Sequence, residues 1–341
     1  MGYEVKLRQF DTMITVEPGD TVLQTALDQG LDYPCGCQSG NCGSCKSVLR
    51  SGDVEMAAYS EFALSDEEKA SGLILACRAM PTSDCEITYL EPDEAVSHPR
   101  RLLDCRVVEL TDLTHDIKRV RLSIEAGGPF SFSAGQYAKV TFGDLDARDY
   151  SMANLPDDPV LEFHIRAMDG GDVSHYVADK LKVGDKVRVD GPYGVSYLRE
   201  SHRGPIIAVG GGSGLAPIKA IVERALQAGL PQEIKFYIGM RDERDVYMED
   251  AFKSLQDKHP NLNLQVVLSE PSGETVRRTG FLCDVLKHDF TDLDGAKAYL
   301  AGPPIMVETC VAALETLGAR REDCHADAFY SVHELAEQEA S

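Results

Sequence analysis

The sequence predicts a multidomain chain built from three classes of fold: a small α+β unit, an antiparallel β-barrel, and an α/β unit with a doubly wound parallel sheet. Three observations predict it. At 341 residues the chain is too long for one ordinary hydrophobic core. Short strand patterns broken by Gly, Asp and Pro turns fill roughly its first two hundred residues, and strand and helix patterns alternate from residue 205 onward. An apolar fraction of 43% with 26% charged residues belongs to a globular chain, not a disordered one.

Residues 1–92 form the first predicted domain. Glu4–Gln9 and Met13–Glu17 alternate around a turn at Asp11-Thr12, and Asp20-Thr21 opens a helix over Val22–Gln29 that Gly30 stops. Ser65-Asp66-Glu67-Glu68 is a capping-box signature for a short second helix. Leu73–Ala76 and Glu86–Leu90 read as further strands. Glu91–Arg101, with Pro92, Pro99 and five charges, marks a linker placed at 93–101.

The barrel is predicted over 102–200, with strands Leu103–Glu109, Ile117–Ile124, Tyr137–Phe142, Val160–Arg166 and Lys186–Val189. The α/β unit follows over 201–330. Its strands are Pro205–Val209, Glu233–Ile238, Asn263–Leu268 and Ala298–Ala301; its helices are Ala216–Gln227, Glu249–Lys258, Phe281–His288 and Ile305–Leu317. Residues 331–341 are a polar tail expected to be flexible.

The net charge of −22 disfavours nucleic acid and anionic membrane as partners, since both carry phosphate. No apolar run approaches the roughly 18 residues a bilayer crossing needs, the first residues lack a signal core, and the chain is expected in the cytoplasm. Residues 1–92 hold 6 Lys/Arg against 15 Asp/Glu, a net of −9. That excess suits docking on a basic protein surface, and equally a solvated face that keeps the protein soluble.

Ten cysteines are present, and four crowd into residues 35–45. In a reducing compartment such crowding points to a metal or redox site, not a disulfide frame. Cys37-x4-Cys42-x2-Cys45, with 31 residues before Cys77, is the plant-type 2Fe–2S ligand spacing. Four thiolates must converge on two irons, so a loop wraps the cluster and a distant strand end closes it. Gly36, Gly40 and Gly43 let the backbone come close to the sulfurs. Zinc and buried structural cysteines are the alternatives, but zinc more usually shows two C-x-x-C pairs and only one is present.

Candidate flavin contacts follow in order along the barrel. They are Arg148, Tyr150 and Ser151 in Arg148-Asp149-Tyr150-Ser151, His164 and Arg166 in Phe163-His164-Ile165-Arg166, and Gly171 and Ser174 in Gly170-Gly171-Asp172-Val173-Ser174. A flavin diphosphate needs cations and backbone donors, which Arg148, Arg166 and a helix starting at Ser174 supply. Tyr150 offers a ring for the isoalloxazine and Ser151 a hydroxyl near its reactive nitrogen. Taken singly, Tyr150 also fits a barrel core and Arg166 a surface ion pair.

Ile206–Val209 runs into Gly210-Gly211-Gly212-Ser213-Gly214-Leu215-Ala216-Pro217 and then a helix. Strand, glycine turn and helix together make a pyrophosphate cradle. Leu300–Met306 ends a later strand with small residues, where a nicotinamide could lie close to the backbone; a plain strand–helix corner would read the same way.

With these motifs in this order, residues 3–330 resemble the reductase components of bacterial ring-hydroxylating oxygenases, within the ferredoxin–NAD(P)H reductase superfamily. The resemblance implies a ferredoxin of the β-grasp type, then FAD and NAD(P)H domains. It assigns Arg148, Tyr150 and Ser151 to FAD; Gly211, Gly212, Gly214, Pro217, Gly302 and Pro303 to the nucleotide; and catalytic roles to Ser151, Asp327 and Phe329. Two departures stand out. Many relatives carry cysteine where this chain has Ala301, and Glu-x-Phe where it has Asp327-Ala328-Phe329. Phe329 is expected to cover the flavin until nicotinamide displaces it. The segment Gly239–Tyr247 resembles NADH-using members, with three acids that repel a 2′-phosphate; Arg241 is the candidate cofactor contact there.

The resemblance implies a path from NADH through FAD and the 2Fe–2S cluster to a protein acceptor, either a Rieske-type terminal oxygenase or its ferredoxin, with the reductase acting as a monomer. Similar reductases serve di-iron monooxygenases and deoxysugar dehydrases. A zinc-stabilised binding module with vestigial nucleotide loops is the non-enzyme alternative.

Overall fold

Residues 2–91, 93–331 and 334 are described by a computed structural model. Pro92 of the linker and the expected tail other than Ser331 and Glu334 lie outside the described residues. The chain forms two compact units, Met1–Ser97 with Tyr330–Ser341, and His98–Phe329.

The first unit is built on a five-stranded sheet in the order Thr12–Val16, Tyr3–Leu7, Cys85–Tyr89, Lys46–Ser51, Leu73–Leu75. Tyr3–Leu7 runs parallel to Cys85–Tyr89 and the other pairs are antiparallel. Val5, Leu7, Ile14, Val16 and Ile87 are buried by the period-2 alternation of their strands. Helix Val22–Asp28 buries Val22, Leu23 and Ala26 and is capped by Thr21, whose hydroxyl accepts the Gln24 amide at 3.2 Å. Lys46–Ser51 was not expected as a strand. Its Lys, Arg and two Ser hide the apolar alternation, yet Ser47 is buried because its hydroxyl bonds the Cys45 carbonyl (3.0 Å) and Tyr33 (2.6 Å).

The second unit combines two sheets. Six antiparallel strands follow the order Arg148–Ser151, Tyr137–Phe142, Lys186–Tyr193, Arg101–Asp112, Ile117–Ala126, Val160–Arg166. A Met152–Phe163 bridge joins the two ends of that order, so the sheet is nearly closed into a barrel. The parallel sheet runs Arg278–Thr279, Leu262–Leu268, Ile234–Met240, Ile206–Gly211, Lys297–Gly302, Cys324–Ala328. Ile206–Gly211 is buried throughout, as a central parallel strand covered on both faces must be.

Barrel and parallel sheet share an apolar seam at Ile117, Ala134 and Leu198, and polar contacts also join them. Lys219 Nζ donates to the Ala153 carbonyl (2.8 Å), Ser196 Oγ to the Ala326 carbonyl (3.1 Å), and the Arg199 amide to the Tyr299 hydroxyl (2.8 Å).

Helix Asp66–Ala70 carries the full capping box: Ser65 Oγ accepts the Glu68 amide (3.2 Å) and Glu68 returns to the Ser65 amide (3.0 Å). Ser65→Ala removes one of these reciprocal bonds. It is expected to cost about 1 kcal/mol of unfolding free energy, measured by urea unfolding of the full chain.

Candidate redox sites

The thiol loop lies between helix Val22–Asp28 and strand Lys46–Ser51, and left-handed dihedrals at Gln38 (φ 57°), Gly40 (81°) and Gly43 (75°) fold it on itself. A Cβ at Gly36 would lie 2.8 Å from both Cys42 Sγ and Ser44 Oγ, so any larger residue there must displace those side chains. Backbone amides aim at sulfur. Asn41 N lies 3.2 Å and Ser39 N 3.5 Å from Cys37 Sγ; Cys37 N lies 3.3 Å and Ser44 N 3.5 Å from Cys42 Sγ.

Cys37 hydrogen-bonds Cys42, and Cys45 hydrogen-bonds Cys77. The bond to Cys42 and the nearby Ser39 and Asn41 groups hold the Cys37 thiol well below its usual range. The bond to Cys37 and burial push Cys42 up, and the bond to Cys77 and burial push Cys45 up. Cys42 and Cys45 feel each other's charge, as do Cys45 and Cys37, so the pairs share one pocket. Four thiols with amides directed at sulfur suit an anionic iron–sulfur core. Cys35 is buried beside the loop.

In the second unit the Arg148–Ser151 strand pairs with Tyr137–Phe142, setting Tyr150 opposite Ala138 and Ser151 opposite Tyr137. Ser151 Oγ donates to Asp327 Oδ2 at 3.1 Å, across 176 residues of sequence. Asp327 is registered with Ala301 and Ala328 with Gly302, and the Phe329 amide donates to the Gly302 carbonyl at 2.9 Å. Ser151, Ala301, Gly302, Asp327 and Phe329 therefore converge. Tyr150 packs edge-on against Phe142 with its phenol pushed up to about 12 by burial. Arg148 lies half-exposed, with Nη1 on the Ala147 carbonyl (2.8 Å) and Asp146 4.0 Å away.

Arg166 pairs with Asp116 (2.7 Å) and also flanks the glycine loop, since a Cβ at Gly212 would lie 3.5 Å from its Nη1. The helix expected to start at Ser174 starts at Asp172, with Gly171 at its N-cap. Ser174 Oγ is turned inward, accepting the Met168 amide and donating to the Gly171 carbonyl, both at 3.0 Å. Ser174 is thus the third residue of the first turn, and no side chain caps the amides there.

His164 is placed differently. Its ring has no exposure; Nε2 lies 3.1 Å from Glu162 Oε1 and Nδ1 3.4 Å from the Tyr247 hydroxyl. Burial holds the imidazole below its usual range, with Glu162 opposing. Burial would raise the Glu162 carboxyl, but the His164 bond and the Lys219 charge bring it down to about 2.

The dinucleotide side is a close approach of two strand ends. Gly302 has φ 143°, and a Cβ there would sit 2.7 Å from the Gly211 carbonyl; a Cβ at Gly214 would strike the Ala301 carbonyl. One at Gly211 would strike Met306, a residue the sequence reading gave no role. Gly212–Gly214 form a tight turn into helix Leu215–Gln227, with Pro217 in its first turn, while Pro303 caps helix Pro304–Thr316. Arg241 is exposed beside Asp242, whose carboxylate Ser272 holds through its amide (3.1 Å) and hydroxyl (2.7 Å).

Comparison with known proteins joins these parts. The chain matches the 2Fe-2S iron-sulfur cluster binding domain over 5–82, the oxidoreductase FAD-binding domain over 104–197 and the oxidoreductase NAD-binding domain over 208–312. It is 39% identical to the ferredoxin–NAD(P)+ reductase component of the naphthalene 1,2-dioxygenase/salicylate 5-hydroxylase systems of Ralstonia sp., covering 96% of this chain and 98% of that one. The chain belongs to this reductase family. This ferredoxin–NAD(P)+ reductase is an oxidoreductase whose cofactors are a 2Fe–2S cluster, FAD and NAD(H), which sets aside the zinc-stabilised binding module. It is 37% identical to the naphthalene dioxygenase reductase of Pseudomonas putida (96% and 98% covered). The crystal structure of the Amycolatopsis cytochrome P450 reductase GcoB superposes with a TM-score of 0.79 at 35% identity, covering 96% of this chain and 98% of that one. Among the described residues no helix is long and apolar enough to cross a membrane.

Glu162 gives a pH prediction. A carboxyl depressed from 4.5 to about 2 in the folded state stabilises above its unfolded value, and that stability is lost as pH falls through the interval. Urea unfolding at pH 7 and pH 4 should show the wild type losing about 1 kcal/mol more than Glu162→Gln on acidification.

Proposed function

We propose that this reductase oxidises NADH and delivers single electrons to a Rieske-type terminal oxygenase or its ferredoxin. The contact that carries the reading is Ser151 to Asp327, which puts a hydroxyl–carboxylate pair where the barrel meets the glycine-lined ends of the parallel sheet. When bound, the flavin takes up a hydride's electron pair and the 2Fe–2S cluster passes electrons on one at a time.

The chain's own residues set the stage for that exchange. Cys37, Cys42, Cys45 and Cys77 are the cluster ligands, and the amides of residues 39 and 41 lower the charge on the Cys37 sulfur. Arg148, Arg166 and the uncapped first turn after Gly171 neutralise the flavin diphosphate; Tyr150 packs on the ring system. Ser151 holds a proton at Oγ, directed to Asp327 Oδ2, beside the site of hydride transfer. Phe329 covers that site until nicotinamide enters. Gly211, Gly212, Gly214, Pro217, Gly302 and Pro303 shape the nucleotide crevice, with Arg241 at its adenosine end. The acids Asp242, Glu243 and Asp245 favour NADH by repelling a 2′-phosphate.

Residues 1–92 carry the cluster, 102–200 the flavin and 201–330 the nucleotide, with 93–101 as linker and 331–341 as tail. The protein works as a cytoplasmic monomer. The first relatives reported above favour a ring-hydroxylating partner; the likeness to a cytochrome P450 reductase supports a haem monooxygenase as a second acceptor class.

Anaerobic NADH titration followed by absorbance and electron paramagnetic resonance tests the order of carriers. Flavin bleaching with a reduced-cluster signal is expected, and bleaching without that signal would count against it. Cys42→Ser should abolish cytochrome c reduction while NADH-driven reduction of a small flavin acceptor survives; joint loss with FAD retained contradicts a linear path. Arg148→Ala should weaken FAD retention by about 1.5–3 kcal/mol, read as flavin content after dialysis.

A further inference from the structure

A line of buried polar groups reaches the glycine loop from the outer face of barrel strand Val160–Arg166, opposite the core residues Leu161, Phe163 and Ile165. Tyr247 is buried, and its hydroxyl lies 3.2 Å from the Gly212 carbonyl and 3.4 Å from His164 Nδ1. The two rings meet edge to face, with centroids 5.6 Å apart. His164 Nε2 lies 3.1 Å from Glu162, which is flanked by Lys219 at 3.8 Å.

Proton accounting gives this line a direction. Glu162 is ionised, so its carboxylate accepts a hydrogen bond from His164 Nε2–H and fixes that tautomer. The neutral ring then turns a lone pair at Nδ1 toward Tyr247. Burial keeps the phenol protonated, and its single proton goes to the Gly212 carbonyl at 3.2 Å, with Nδ1 at 3.4 Å the longer, competing acceptor.

Gly212 is where such a restraint matters. At φ 55° it stands in a backbone region that glycine enters readily, and the orientation of the following peptide is held by two donors on its oxygen, the Leu215 amide and the Tyr247 hydroxyl. One orientation offers an N–H toward the crevice; the other offers a carbonyl oxygen, which repels an anion.

We propose that Tyr247 is a positioning residue for the dinucleotide loop: its hydroxyl, donating to the Gly212 carbonyl, holds that oxygen away from the pyrophosphate so that the loop amides face it. This rests on residues 210–217 being the dinucleotide loop. The ligand class is the pyrophosphate of NADH, and the nicotinamide ring plays no part in the restraint.

The test is Tyr247→Phe in the FAD- and cluster-loaded full chain, which keeps the ring and deletes one hydroxyl. Equilibrium dialysis with NAD+ and with ADP-ribose, which has the pyrophosphate but no nicotinamide, should show both dissociation constants raised about tenfold. KM for NADH should rise in step, while the limiting rate of flavin bleaching stays within about twofold. Unchanged ADP-ribose affinity in Tyr247→Phe overturns the proposal, and so does loss of FAD or of folding in that variant, which would make the contact a general structural one. A wild type that binds neither NAD+ nor ADP-ribose would instead remove the dinucleotide reading of the loop.

Discussion

The hydrogen bond from Ser151 to Asp327 is the point on which the chemistry proposed for the second unit depends. It can form only if the edge strand of a barrel and the edge strand of a parallel sheet are held in a fixed relation. Several buried polar contacts hold them: Lys219 to the Ala153 carbonyl, Ser196 to the Ala326 carbonyl, Arg199 to Tyr299, and Tyr247 to His164. Each joins groups that would be costly to bury alone, so separating the two sheets would strand them together. The result is a junction whose walls come from two folds.

Glycine does the complementary work on the sheet side. Gly211, Gly214 and Gly302 remove the side chains that would otherwise keep two strand ends apart, and small Ala301 stands between them. At position 301 this chain has only a methyl group, so the polar groups found at the convergence are the Ser151 hydroxyl and the Asp327 carboxylate. The shorter carboxylate still reaches Ser151 because Asp327 is registered beside Ala301 at the end of its strand. The thiol loop of the first unit obeys the same logic, since Gly36 gives up its side chain so that Cys42 can turn inward.

Much of this architecture was legible from pattern alone. Tyr137–Phe142, Val160–Arg166 and Glu249–Lys258 occupy the expected spans because apolar periodicity and flanking turns agree. Lys46–Ser51, Arg148–Ser151 and Cys324–Ala328 escaped, since each is polar enough to hide its alternation and is made a strand by its neighbours. The cysteine loop announced itself because ligand spacing is a local signal. Asp327 beside Ser151 came only through resemblance, as no local rule links positions 176 apart. His164 and Tyr247 show the limit: both lay in quoted segments, but their pairing through a buried hydroxyl needs the fold.

We propose that the hydroxyl–carboxylate pair of Ser151 and Asp327 assists hydride transfer. Its most direct test is anaerobic rapid mixing of NADH with the Ser151→Ala enzyme, following flavin absorbance at saturating NADH. A limiting rate lowered by roughly a hundredfold, with FAD content and NAD+ affinity kept, is the predicted result. A limiting rate equal to that of the wild type would contradict it.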